Sequence, residues 1–361
     1  MLSSLIISIL YTQAMDTAYY LKLAEDNVRL PIAADLVLHE REDPVTCRYN
    51  GECLGKVIIE SAERFNMPLA FPLMDLRTEK EWILTQLAVP VEEIDTFHFD
   101  DDLDEASIEK LAQLVNAAPT KRMEATLGAL RYVANNSDKV PVGMCIGPFS
   151  LMTKLLADPI TAAYQVGLDP EDEESEMVLK LMEVSTEAII QWIRLQAEAG
   201  VKAVCLCEPA YNVVYVSPNQ IDQDASILDT LVLNFNRRIK AAMKEMGVDL
   251  IFHDCGELNE AIIRSFNKLE PSILSLGSPC KLPEIAHLIN PNTVIMGNLP
   301  SKKFYTDAEM TVDMVKTESR KLLEAMKATG HPFILASECD VLSVPGCEEL
   351  IMQKVVALAT C

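Results

Sequence analysis

The chain has little positive charge and no long apolar run. Among its 361 residues, 31 Lys and Arg stand against 54 Asp and Glu, for a formal net charge of −23. Binding to a phosphate backbone rests on clustered Lys and Arg. No basic stripe is present, so nucleic acid is not an expected partner. The acidic excess gathers in Glu92-Glu93, Asp100-Asp101-Asp102-Asp104-Glu105 and Glu171-Asp172-Glu173-Glu174. Such runs read as solvated faces that favour solubility. No stretch approaches the ~20 apolar residues that a membrane-spanning helix needs, so no membrane association is expected. Met1 to Thr12 is apolar but lacks the basic start of a secretory signal. Residues 1–14 therefore read as an extension, a disordered tail or the result of an upstream start, with the fold proper in 15–361. The ten cysteines show no disulfide framework. They read as reduced thiols of a cytoplasmic protein. Repeats, linkers and low-complexity stretches are missing too, and 49% hydrophobic residues exclude a disordered chain.

Short apolar runs alternate with long amphipathic segments. The runs are Pro31 to Leu38, Met67 to Met74, Val140 to Ile146, Val201 to Cys207, Val248 to Phe252, Ser272 to Leu276, Thr293 to Met296 and Pro332 to Ala336. Each is rich in Val, Ile and Leu without polar alternation, as expected of parallel strands buried on both faces. Between them, 171–199 carries an apolar stripe and stops at Gly200, and 226–246 stops at Gly247. Thr306-Asp307-Ala308-Glu309 reads as a capping box opening a helix that ends near Gly330. Eight strands with intervening helices predict a single-domain (β/α)₈ TIM barrel, with a doubly wound open sheet as the competing architecture. Only the connection at about 77–139 is long.

Barrel chemistry sits at the C-terminal ends of the strands. Those ends nominate His39; Asp75; Gly147-Pro148; Cys207-Glu208; His253, Asp254, Cys255 and Gly256; Ser278 and Cys280; Asn298; and Cys339 with Cys347. His253 and Cys255 are two apart at a strand end, so both can reach one ion, while Asp254 would face the other way or help orient a ligand. Cys339, at the end of the last run, supplies a third soft donor. Two Cys and one His with an open position suit a catalytic zinc. Cys280 or Cys347 are the alternatives to Cys339 as third ligand, and Glu208 could close the shell.

The stretch from about 140 to 345 resembles the uroporphyrinogen decarboxylase superfamily, in its corrinoid (cobalamin)-dependent methyltransferase branch. The resemblance rests on Gly147-Pro148-Phe149-Ser150, Ala199-Gly200, His253-Asp254-Cys255-Gly256, Gly297-Asn298-Leu299-Pro300 and Phe333 to Asp340. Pro72 to Leu76 and Glu79 extend it toward the N-terminus. It implies a (β/α)₈ barrel with His253, Cys255 and Cys339 as zinc ligands. It also implies a corrinoid cofactor carried by a separate corrinoid protein, because no Asp-x-His-x-x-Gly segment is present. Glu208 and Asp75 are expected in catalytic roles, and Asn298 and Tyr215 in cofactor binding. Decarboxylation is not expected, since Leu36 to Arg41 lacks the paired arginines that would hold porphyrin carboxylates. Glu338 stands where a small residue is usual and is a further candidate for the fourth ligand. The leading reading is methyl transfer from a small methylated substrate, such as a methoxylated aromatic, to the corrinoid. Two others compete with it: methylation of a thiol by a methylcorrinoid, and a non-catalytic zinc- or ligand-binding barrel.

Overall fold

A computed structural model describes residues 15–100, 103–113 and 117–361. Its strands are β1 (Arg29–Leu30), β2 (Leu69–Ala70), β3 (Val140–Ile146), β4 (Ala203–Cys207), β5 (Asp249–Asp254), β6 (Ile273–Leu276), β7 (Val294–Leu299) and β8 (Phe333–Ser337). They form one parallel sheet in the order β1-β8-β7-β6-β5-β4-β3-β2, curled into a nearly closed barrel with helices outside. The (β/α)₈ expectation holds, and the open doubly wound sheet is excluded. The expectation for residues 1–14 lies outside the described residues, as do Asp101 and Asp102 of the acidic run.

Strand alternation decides which side chains line the barrel. Met144, Cys205, Cys207, Ile251, Ile273 and Met296 belong to the apolar cluster inside it. Cys145, Val204, Leu206, Leu250, Phe252 and Leu274 point into the cluster beneath the helices. This period of two follows from the pleat. Burial on both faces explains why these strands carry no polar alternation.

The first two strands are shorter than the apolar runs around them. Pro31 has no N–H to donate, so the β1–β8 ladder stops at Leu30, and Ile32 N–H turns to Ser337 Oγ at 3.1 Å. Ala34–Leu38, read as strand, is a buried helical turn. A short apolar run does not distinguish the two when both faces are covered. Pro72 likewise follows closely on β2. The long connection between β2 and β3 holds helices Thr78–Gln86, Glu105–Ala112 and Lys121–Asn136.

Helix Glu173–Glu198 ends before Gly200, whose φ of 103° is open to glycine. The segment after residue 226 begins as a π turn, Asp229–Leu233, and continues as helix Asn234–Glu245. The capping box is displaced by five residues. Thr311, not Thr306, caps helix Val312–Thr329 by accepting from Met314 N–H at 3.2 Å, while Thr306 Oγ1 closes a local turn on Ala308 N–H. One expectation about thiols is overturned. Cys47 and Cys53 form a disulfide, because a tight connection into helix Gly51–Arg64 brings their Cα atoms to 5.2 Å. The other eight cysteines are free.

Candidate metal centre

His253 lies on β5 in register with Cys207 of β4 and Ser275 of β6, on the inward face. Its Nδ1 is 2.9 Å from Ser275 Oγ, which fixes the ring. Nε2 is buried with no hydrogen-bond partner. Cys255 follows the end of β5, and Cys339 lies two residues past β8. One donor atom from each of His253, Cys255 and Cys339 comes within 4.8 Å of the others. A buried, unpartnered imidazole nitrogen beside two sulfurs is what a bound soft or borderline cation would satisfy. Neither Cys280 nor Cys347 joins this group. Gly277 makes room for it, because a Cβ there would lie 2.6 Å from the Cys255 Cα.

The same cluster perturbs its own protons. The Cys255 thiol is pushed down to about 4, chiefly by a hydrogen bond from Cys339, then by His253 and the Lys302 ammonium. Lys302 Nζ is 4.0 Å from Cys255 Sγ. Cys339 moves upward because it is the donor to that thiolate and because it is buried. Burial pulls His253 down, but the nearby Cys255 sulfur outweighs it, and the net shift is upward. Of the two sulfurs, Cys255 is the one whose surroundings favour the thiolate.

A family model described as "Uroporphyrinogen decarboxylase (URO-D)" matches residues 38–350. The chain belongs to the uroporphyrinogen decarboxylase family. Among solved structures, the fold is similar to "methyltransferase from Methanosarcina mazei", at a TM-score of 0.70 and 16% identity. That match covers 96% of this chain and 98% of that one. A B12-independent methionine synthase from Shewanella sp. W3-18-1 shares 15% identity over 64% of each chain, at a TM-score of 0.44. No curated protein matches the sequence.

Within this uroporphyrinogen decarboxylase member, the expected carboxylate ligands are engaged elsewhere. Glu208 is fully buried on the outer face of the sheet. Its oxygens accept from Phe149 N–H (3.3 Å), Ser150 N–H (2.8 Å) and the Asn236 amide (3.1 Å). It thereby satisfies the open N-terminus of helix Pro148–Leu155. Gly147 allows the approach, since a Cβ there would meet the Glu208 carboxyl at 2.1 Å. Burial raises the Glu208 pKa, against the hydrogen bonds that lower it. Glu338 accepts from Ser278 N–H (3.2 Å) and Lys302 N–H (3.3 Å), tying together the loops after β6 and β7. Neither carboxylate belongs to the His253, Cys255 and Cys339 group.

The other nominated residues are also dispersed. Asp75 lies five residues past β2 and is ion-paired to Arg122 of helix Lys121–Asn136. Asn298 is buried, and its amide donates to the Gly277 and Cys280 carbonyls (2.8 and 2.7 Å), so it braces the loop after β6. Tyr215 packs half-buried against the helix-side cluster. His39 caps the short helix and contacts the Asp35 carbonyl at 2.8 Å, away from the three ligands. Asp254 faces outward as expected; one oxygen accepts from Gly256 N–H at 2.9 Å.

Three contributors had escaped the sequence reading. Ser275 had a signal, as the one polar residue inside an otherwise apolar strand. Met74, whose Sδ is 3.4 Å from Cys339 Sγ, and Lys302 had none, because loop packing alone brings them here.

Proposed function

We propose that this chain is a zinc-dependent methyltransferase that works with a separate corrinoid protein and a small substrate at the barrel mouth. The observation that carries the reading is the convergence of His253, Cys255 and Cys339, with an imidazole nitrogen that has no other partner. Two sulfurs and one nitrogen suit Zn²⁺ with an open fourth position. The solved structure with the similar fold being a methyltransferase agrees with this. When bound, Zn²⁺ supplies a position where a substrate thiol is deprotonated or a substrate heteroatom polarised. Ser275 holds the His253 ring for that task, Cys255 and Cys339 donate thiolates, and Lys302 offsets their charge.

Geometry also bears on direction. With Glu208 and Glu338 committed to backbone amides, the fourth position falls to the substrate. Two thiolates neutralise the ion, which weakens its pull on an ether oxygen and leaves a bound substrate thiolate electron-rich. Thiol methylation by a methylcorrinoid therefore becomes the favoured direction. Neither His39 nor Glu338 belongs to the ligand group.

Elemental analysis and a cobalamin assay test this together. We expect one zinc per chain and a thiol-dependent loss of the methyl-Co(III) spectrum from added methylcobalamin. Absence of zinc would overturn the metal reading. A spectral response only to Co(I) with a methoxylated donor would reverse the direction.

A further inference from the structure

Deeper in the barrel lies a second group of sulfurs that the mouth site does not use. Cys207 Sγ is 3.8 Å from Cys205 Sγ and 3.5 Å from Met144 Sδ. Met144 of β3 and Cys205 of β4 are register partners, and Cys207 lies one pleat repeat nearer the mouth. Cys205 and Cys207 are wholly buried and Met144 nearly so. Val142, Ala203 and Ile251 belong to the same interior cluster. We infer that Cys205, Cys207 and Met144 form an all-sulfur binding site for a soft monovalent cation of the Cu(I) or Ag(I) type.

Separation and surroundings both support the assignment. Three sulfurs arranged trigonally around one ion, at metal–sulfur distances of about 2.3 Å, stand about 4 Å apart. The two edges that meet at Cys207, 3.5 and 3.8 Å, lie close to that, and the register pairing of Met144 with Cys205 puts the remaining two sulfurs on adjacent strands at one level. Thiolate and thioether donors select Cu(I) over harder ions. A divalent ion such as Zn²⁺ would need a fourth donor, and the apolar wall offers none. The nearest nitrogen-bearing neighbour in register, His253, has one ring nitrogen on Ser275 and the other directed to the mouth group. Binding releases the thiol protons to solvent, and no electron transfer is involved. The two sites would then stack along the barrel axis, with a borderline set above and a soft set below.

Ag(I), which is redox-inert, is the probe, with excess glutathione present to strip it from isolated thiols. In the Cys255→Ser/Cys339→Ser variant the mouth thiols are gone, and one equivalent of Ag(I) should resist glutathione. Adding Cys207→Ala should abolish that equivalent. Adding Met144→Leu instead, which keeps the volume and both thiols, should weaken retention about tenfold and decides the matter if the alanine variant fails to fold. Retention unchanged by Cys207→Ala or by Met144→Leu would overturn the site, as would failure of the parent variant to hold any Ag(I). Because both mouth thiols are absent throughout and only His253 of the mouth group remains, the outcome is independent of the methyltransferase reading.

Discussion

Cys207 and Glu208, His253 and Asp254, and Glu338 and Cys339 are neighbours in sequence, yet each pair is divided between two uses. Cys207 and His253 look into the barrel, and Cys339 meets His253 and Cys255 at its mouth. Glu208 and Asp254 turn the other way, and they and Glu338 accept hydrogen bonds from backbone N–H groups. The donors of His253, Cys255 and Cys339 are left available for an ion. The carboxylates are consumed in holding the loops that present those donors. On β4 and β5, one pleat step separates an inward donor from an outward brace.

The sharpest break of this comparison removes a ligand. Cys255→Ser or Cys339→Ser should abolish zinc retention and lower methyl transfer more than about 100-fold, while the thermal midpoint moves only slightly. Elemental analysis, the cobalamin assay and calorimetry on the same sample check it. Unfolding on loss of either thiol would instead assign the ion a structural role.

Glu208→Ala should do the opposite. It strands the Phe149 and Ser150 N–H groups and the Asn236 amide in a buried layer, at a cost of about 2–4 kcal/mol. Zinc content of the folded fraction should stay at the wild-type level. Urea denaturation beside metal analysis separates the two effects, and loss of zinc without loss of stability would make Glu208 a ligand after all.

How far these roles were legible in advance depends on what fixes them. From β3 to β8, strands buried on both faces left uninterrupted Val, Ile and Leu runs, and their ends pointed to His253, Cys255 and Cys339. At β1 the same apolar signal covered a buried helical turn, because Pro31 cuts the ladder and burial erases the periodicity that would tell helix from strand. Alternation was applied to Asp254 and placed it correctly. Carried from the inward Cys207, it would have turned Glu208 outward as well. Asp75 and Asn298 find their partners across long loops, Arg122 and the Gly277 and Cys280 carbonyls, which no local pattern encodes.

Glu79 extends the bracing set to a carboxyl outside the ligand group. One oxygen accepts from Ile146 N–H at 3.0 Å and the other has no partner. Burial pushes its pKa from 4.5 up to about 8. A carboxyl raised on folding favours the folded state's proton, so it costs nothing below pH 4.5. As pH rises from 4.5 to 8 the unfolded chain ionises while Glu79 does not, and stability falls by about 2–4 kcal/mol. Glu79→Gln should flatten that decline in urea titrations at pH 5, 6.5 and 8. Parallel profiles for the two proteins would remove Glu79 from the account.

Ser275 tests whether the inward set depends on a brace of its own. Its hydroxyl contacts His253 Nδ1 and touches neither thiol in the ligand group. A ligating imidazole whose second nitrogen loses its partner keeps its donor but not its orientation, and metal affinity drops by about 10–100-fold. Ser275→Ala should therefore fold normally, bind one zinc at saturation and release it faster to a chelator. Ser275→Thr, which retains the hydroxyl, should recover most of the affinity. If both variants hold zinc as the wild type does, the cysteines and the backbone of β5 alone set the geometry. The division between ligand and brace would then be confined to the outward carboxylates.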